Sequence, residues 1–339
     1  MVSPPPTLFW QTGSPSDPWW TRRPKLRGVN LGGWLVFEPW INAALFHAHP
    51  PPRGTLRDGG GGDSEAALCA RLGATAAATV LTAHRRSYVT AADFTAVAAA
   101  RLNAVRLPVG YWGVVRPRRG DPYVGNVRAH LDNALGWAAA ARVGAHMGHA
   151  RGGRWHVDDW DVDGALDAVA ALAGRYGSAA GGCGGGGGGG EAPPALLGLS
   201  VANEPDERIP PDVLLAFYRR VYAAVRAGGL RVETVAFVVD GNPSLADRLV
   251  AGGAVDRATR LRGDHLLVDV HPYQCFGGGL RLPWAGAGAA AELAAAGPAA
   301  TGRALRAFGR AQVVGMDAAG VEARFFWTWK VDAAAGEPW

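Results

Sequence analysis

Lysine is almost missing from this 339-residue sequence: Lys25 and Lys330 are the only two among 34 basic side chains. The rest is arginine scattered among alanines and glycines, and the formal charge is only +5. Nucleic-acid binding needs a basic patch or stripe, so no nucleic-acid partner is expected. Cysteine is just as sparse. Cys69, Cys183 and Cys275 allow at most one bridge and lack the close pairs of a zinc site. No window of about 20 uninterrupted apolar residues occurs, so no membrane span is expected. The opening MVSPPPTLFWQTGSPSDPWW lacks a basic region leading into an apolar run, so no signal peptide is expected either. The Asn-x-Ser match at Asn242 is blocked by Pro243.

What is present is enough apolar residue, 48% against 19% charged, to bury a sizeable core. Three stretches read as irregular. Residues 1–25 are rich in Pro and Trp, 50–63 form a Pro/Gly linker, and 179–194 (AAGGCGGGGGGGEAPP) are low complexity. Glycine loses so much backbone freedom on ordering that this last run reads as a surface insertion. It does not match a phosphate loop, since no Lys-Ser/Thr follows it. Between these stretches, short apolar runs alternate with amphipathic helical segments, the α/β pattern. The expected strands are Leu26–Leu31, Ala104–Val109, Leu196–Asn203, Thr234–Val239, Leu266–His271 and Phe325–Lys330. The expected helices are Ala91–Arg101, Val162–Tyr176, Asp212–Ala227 and Arg303–Ala319. Pro210-Pro211 marks a helix start and Gly228-Gly229 its stop. One domain over 26–339, after an irregular 1–25, is the economical organisation.

Polar and aromatic residues gather where these strands end. LLGLSVA runs into Asn203-Glu204-Pro205, LLVDV into His271-Pro272-Tyr273, and AVRLPV carries Arg106 before Tyr111-Trp112. Trp327 and Trp329 lie two apart, so within a strand both would face one side. In a (β/α) barrel the strand C-termini form the mouth where chemistry is done. A carboxyl group, a histidine, a tyrosine, an arginine and tryptophans meeting there would suit a sugar. Each also has a plainer reading: Asn-Glu-Pro as a helix cap, Arg106 as a buried ion-pair residue, the tryptophans as core. His146, His149 and His156 read as a solvated loop, so no metal is expected.

The stretch Arg27-Gly-Val-Asn-Leu-Gly-Gly-Trp34-Leu-Val-Phe-Glu38-Pro-Trp-Ile41 closely resembles the opening signature of glycoside hydrolase family 5, in its exo-β-1,3-glucanase branch. LNAVRLPVGYW (102–112), LSVANEP (199–205), VDVHPYQCF (268–276) and FFWTWK (325–330) follow in matching order. The resemblance implies a (β/α)8 barrel hydrolysing β-glucan, most naturally β-1,3-linked, by a retaining mechanism with two glutamates and no cofactor. It makes Glu204 the general acid/base, Asn203 the amide that orients the sugar 2-hydroxyl, and Arg106 the brace of the nucleophile. His271 and Tyr273 line the subsite of the cleaved sugar, Glu38 binds its hydroxyls, and Trp327 with Trp329 forms the stacking platform. A monomer is expected, and an extracellular or cell-wall setting by resemblance.

The departures are equally specific. The family nucleophile lies in a Gly-Glu-Trp-Ser-like motif closing strand seven, and no such motif exists here. Between Tyr273 and Phe325 the acids are Glu292, Asp317 and Glu322; only Glu292 leaves room for a helix and a strand after it, so it is the candidate substitute. Its alanine flanks favour helix over strand. The third strand reads as short, with His146 standing in for a family histidine, and no eighth helix follows Lys330. The expectation is a barrel incomplete around strands three and seven and the last helix, with weak or no hydrolysis and sugar binding retained.

Overall fold

The computed structural model describes residues 25–52, 63–150, 162–177, 195–203, 205, 209–230, 235–240, 266–271, 306–307, 309–310, 313–318 and 323–332. Within them seven strands form one sheet in which every pairing is parallel. They are β1 (Leu26–Asn30), β2 (Ala104–Gly110), β3 (Gly144–Ala150), β4 (Leu196–Ser200), β5 (Val235–Asp240), β6 (Leu266–His271) and β7 (Ala323–Phe326). Their order is β6-β5-β4-β3-β2-β1-β7. Consecutive strands are neighbours, and the last one returns to pair with the first. That closure is the signature of a barrel, and β7 takes the place of its eighth strand. The position between β6 and β7 corresponds to residues 272–322, most of which lie outside the described residues.

The helices are α1 (Ala43–Ala48), α2 (Glu65–Ser87), α3 (Ala91–Ala99), α4 (Tyr111–Val114), α5 (Arg128–Ala141), α6 (Val162–Tyr176) and α7 (Pro211–Ala227). Their ends follow local chemistry. Asp93 accepts from the Thr90 N–H at 2.8 Å, closing the capping box of α3. Pro211 opens α7 at a position whose N–H would be unused anyway, and Gly228-Gly229 ends it. Ser64 caps α2, which bends at Gly73. Further helical turns at 313–318 fall inside the expected Arg303–Ala319 helix.

The core lies between sheet and helices. β2 is buried along its whole length, as a central parallel strand covered on both faces should be. Val105, Leu107 and Val109 pack with Phe94 and Val97 of α3, Leu131 and Leu135 of α5, Leu172 and Tyr176 of α6, and Phe217 and Tyr218 of α7.

Of the strands expected to be deficient, the third is formed: β3 pairs with β2 from Gly144 to Ala150. Its irregularity shows on the other side, where pairing with β4 shifts register between Ala145 and His146. The expected strand Phe325–Lys330 is corrected. β7 ends at Phe326, and Trp327–Lys330 leave the ladder.

Candidate active site

The C-terminal ends of β1, β4 and β7 converge on one buried arginine of β2. Arg106 stands in the middle of β2 and is 4% exposed. A guanidinium offers only donors, in a planar fork, so burying it requires oxygen acceptors on both prongs. Nη1 donates to Asn30 Oδ1 at 3.1 Å, and Nη2 donates to Asn203 Oδ1 at 2.9 Å. Asn30 closes β1, and Asn203 follows β4 three residues beyond Ser200. The Asn30 Nδ2 group donates in turn to the Phe326 carbonyl at 3.2 Å. Beyond β7 the Thr328 hydroxyl donates to the Asn30 carbonyl at 2.8 Å, and that carbonyl also accepts the Trp329 N–H at 2.9 Å.

The loop after β1 forms one wall. Gly33 adopts φ +69°, the left-handed conformation that glycine tolerates. At Gly32 a β-carbon would meet Thr328 Oγ1 at 2.9 Å and Trp327 Cζ2 at 3.0 Å, so the bare backbone is what lets the Trp327 segment lie against this loop. Asn42 is fully buried; its Nδ2 donates to the Gly33 carbonyl at 2.9 Å and its Oδ1 accepts the Glu38 N–H at 3.1 Å. Glu38 itself is half-buried. His84 of α2 brings Nε2 within 2.8 Å of the same Gly33 carbonyl, which fixes the proton on that nitrogen. Burial, only partly offset by that bond, holds the His84 imidazole below its ordinary range.

A buried ion pair ties this wall to the loop after β2. Glu65 and Arg85, both on α2, are 3% and 2% exposed and meet at 3.1 Å. Glu65 Oε1 also accepts from Trp112 Nε1 at 2.9 Å, and Oε2 from the Phe37 N–H at 3.1 Å. Burial pushes the Glu65 carboxyl up and the Arg85 guanidinium down, each opposed by the other's charge. Burial and the Glu65 charge together push the neighbouring Cys69 thiol up to about 11, so Cys69 is an inert core residue rather than a nucleophile. Trp112 stacks on Tyr123, with ring centres 3.9 Å apart, and Tyr111 donates a short hydrogen bond to Asp121.

No family model matches the chain. A protein of Aspergillus niger described as probable glucan 1,3-beta-glucosidase A is 32% identical over 272 residues, covering 75% of this chain and 57% of that protein. Its namesake from Emericella nidulans is 31% identical over 276 residues, covering 75% and 58%. The chain is a homologue of these glucan 1,3-beta-glucosidases. It spans little more than half the length of these curated relatives. Among solved structures, AoRut superposes with a TM-score of 0.57 at 20% identity, over 75% of this chain and 70% of that one. The rutinosidase from Aspergillus niger gives 0.50 at 16% identity, over 73% and 78%. At such identities the likeness speaks to fold alone, and it is the (β/α)8 barrel that the motifs implied, with seven of its strands among the described residues. The likeness to glucan 1,3-beta-glucosidases agrees with the exo-β-1,3-glucanase resemblance that the motifs carry.

Of the residues that the glucosidase motifs single out, the structure brings Arg106 and Asn203 into direct contact and sets Trp327 beside them through Asn30 and Gly32. His271 ends β6 in register with Asp240. Glu204, Tyr273 and Glu292 lie outside the described residues. Trp327 and Trp329, expected to form one platform, stand in different settings. Trp327 is 39% exposed, whereas Trp329 packs against the core and its Nε1 donates to Asp93 Oδ1 at 3.1 Å. Lys330 Nζ donates to the same oxygen at 2.8 Å. Burial opposes the charge of Asp93, but the Lys330 ammonium and the Thr90 and Trp329 donors outweigh it and hold the carboxyl below its ordinary range.

Motif reading passed over Asn30, Glu65 and Arg85. Asn30 stood inside the quoted RGVN signature, as a lone amide ending an apolar strand. Glu65 had a weaker signal, an acid directly after the helix-capping Ser64 and before an Ala/Leu-rich run, a setting in which acids normally face solvent.

Proposed function

We propose that this chain hydrolyses β-glucan, β-1,3-linked, with retention of configuration. The observation that carries the reading is the Asn30–Arg106–Asn203 chain of hydrogen bonds at the strand ends, in a homologue of the glucan 1,3-beta-glucosidases. A barrel strand end is where such enzymes keep their chemistry. There a buried guanidinium is held by two amide oxygens, a polar cluster at the position where such a fold presents its working side chains.

In this reading Glu204, the next residue after Asn203, is the general acid. It protonates the glycosidic oxygen while the Glu292 carboxylate attacks the anomeric carbon and forms a glycosyl ester. Glu204 then takes a proton from the water that cleaves that ester. The mechanism requires the two carboxyl groups about 5–5.5 Å apart. Arg106 braces the nucleophile carboxylate and keeps it ionised for attack, and Trp327 supplies an aromatic face for a pyranose ring.

The test is incubation with an activated 2-fluoro-β-glucoside, followed by peptide mass analysis, alongside turnover of laminari-oligosaccharides. A stable adduct on Glu292, with oligosaccharide hydrolysis lost in Glu204→Gln, is the expected result. Unchanged turnover in Glu204→Gln, or an adduct on another residue, would remove the assignment. Oligosaccharide binding with no turnover in the unaltered chain would refute hydrolysis itself.

A further inference from the structure

The geometry points to Asn30 as a positioning residue for catalysis, a role that rests on the hydrolase reading above. Asn30 is 5% exposed, and its amide is used at both ends. Oδ1 accepts from Arg106 Nη1 at 3.1 Å, and Nδ2 donates to the Phe326 carbonyl at 3.2 Å. Only an amide fits both demands. A carboxylate would turn a second acceptor toward the Phe326 carbonyl, and an alkyl group would strand the buried Arg106 N–H and leave that carbonyl without its donor.

The consequence reaches Asn203. Arg106 can only donate, so its Nη2 selects the oxygen end of the Asn203 amide, at 2.9 Å. The Asn203 amide is therefore held with Nδ2, its donor end, turned away from Arg106, and this is the end a sugar hydroxyl would meet. Asn30 fixes Arg106, and Arg106 fixes which end of Asn203 a substrate meets. A hydrogen bond to the 2-hydroxyl is one that strengthens in the transition state of glycoside cleavage, so an error in this orientation appears in kcat on substrates that carry that hydroxyl.

The experiment compares an aryl β-glucoside with its 2-deoxy counterpart in the full chain and in two variants. Asn30→Ala removes the acceptor that holds Arg106. It should lower kcat on the glucoside by about 10- to 100-fold, as loss of a hydrogen bond to a charged group would. The loss on the 2-deoxy substrate should be far smaller, so the ratio between the substrates collapses. Asn30→Asp keeps an oxygen facing Arg106 and replaces the bond to Phe326 with a second acceptor facing that carbonyl, so it should preserve that ratio even where stability falls. A merely structural Asn30 would lower both substrates by one factor in both variants, and that outcome overturns the proposal. A collapsed ratio in Asn30→Asp overturns it too. Should Asn30→Ala fail to fold, Asn30→Ser, whose hydroxyl is too short to reach Arg106, takes its place. An unaltered chain that cleaves neither glucoside sinks the hydrolase reading and this role with it. A chain that cleaves the glucoside with the same ratio in every variant sinks this role alone.

Discussion

Removing the Glu65 carboxyl group tests how the two loops at the barrel mouth are anchored. Its oxygens accept three donors: Arg85 Nη2 at 3.1 Å, Trp112 Nε1 at 2.9 Å and the Phe37 N–H at 3.1 Å. Glu65→Ala strands all three where solvent scarcely reaches. Breaking a buried ion pair from one side costs about 3–5 kcal/mol, because the remaining charge is uncompensated. Each neutral donor left without an acceptor adds about 1–3 kcal/mol, less whatever water enters the gap. These terms overlap, and a total of about 4–6 kcal/mol is expected, against a whole-domain stability of about 5–15 kcal/mol. Glu65→Leu combined with Arg85→Met removes both charges and should cost less than Glu65→Ala alone. Guanidinium unfolding followed by tryptophan fluorescence measures both, with equal denaturant slopes as the check on two-state behaviour. A Glu65→Ala loss below about 1 kcal/mol, or a double variant as costly as the two single losses added, would refute the anchoring argument.

Other outcomes follow from single groups. Burial lowers the His84 pKa in the folded chain, so its contribution to stability is complete above the ordinary value of 6.5 and is lost as pH falls below it. The melting temperature should therefore drop from about pH 7 to about pH 5 more steeply than in His84→Gln, and equal slopes would refute this. Gly33→Ala forces a side chain onto φ +69° with its Cβ against Ile41 Cγ2, and should cost at least about 2 kcal/mol in denaturant unfolding. Trp327→Ala should weaken laminari-oligosaccharide binding by about 1–3 kcal/mol in calorimetric titration. Wild-type affinity in that variant would remove the stacking role.

The strands were legible because buried parallel strands are continuous apolar runs that carry their own boundaries. Leu266–His271 and Val162–Tyr176 are found with the expected limits. Alanine blurred the rest. It is the best helix former yet barely apolar, so α2 and α5, built largely of Ala, show little periodic contrast and went unmarked. The third strand, GAHMGHA, has few β-branched or large apolar side chains, and its seven residues are held by the pairing with β2 rather than by propensity. Trp329 falls outside the strand because period-two alternation holds only while the ladder lasts. Here the Thr328 hydroxyl and the Trp329 N–H share the Asn30 carbonyl, and the chain steps out of the strand. The Arg106–Asn203 contact joins two motifs nearly a hundred positions apart, so their convergence had to come from the barrel.

The pairing of β1 with β7 sets Leu26 beside Ala323, and that joint has a cost in time. Bringing together ends separated by about 300 residues costs on the order of 5 kcal/mol of chain entropy before any contact rewards it. On a ribosome adding about 5–20 residues per second, the first strand would leave the exit tunnel roughly 15–60 s before its last partner has been made. Through that interval β1 has β2 on one side and no ladder on the other, and the amide of Asn30 has no Phe326 carbonyl to meet. The mouth of the barrel is therefore among the last parts of this fold to become organised. A nascent chain arrested before residue 323 should accordingly offer its first strand to chaperones or to strands of other chains.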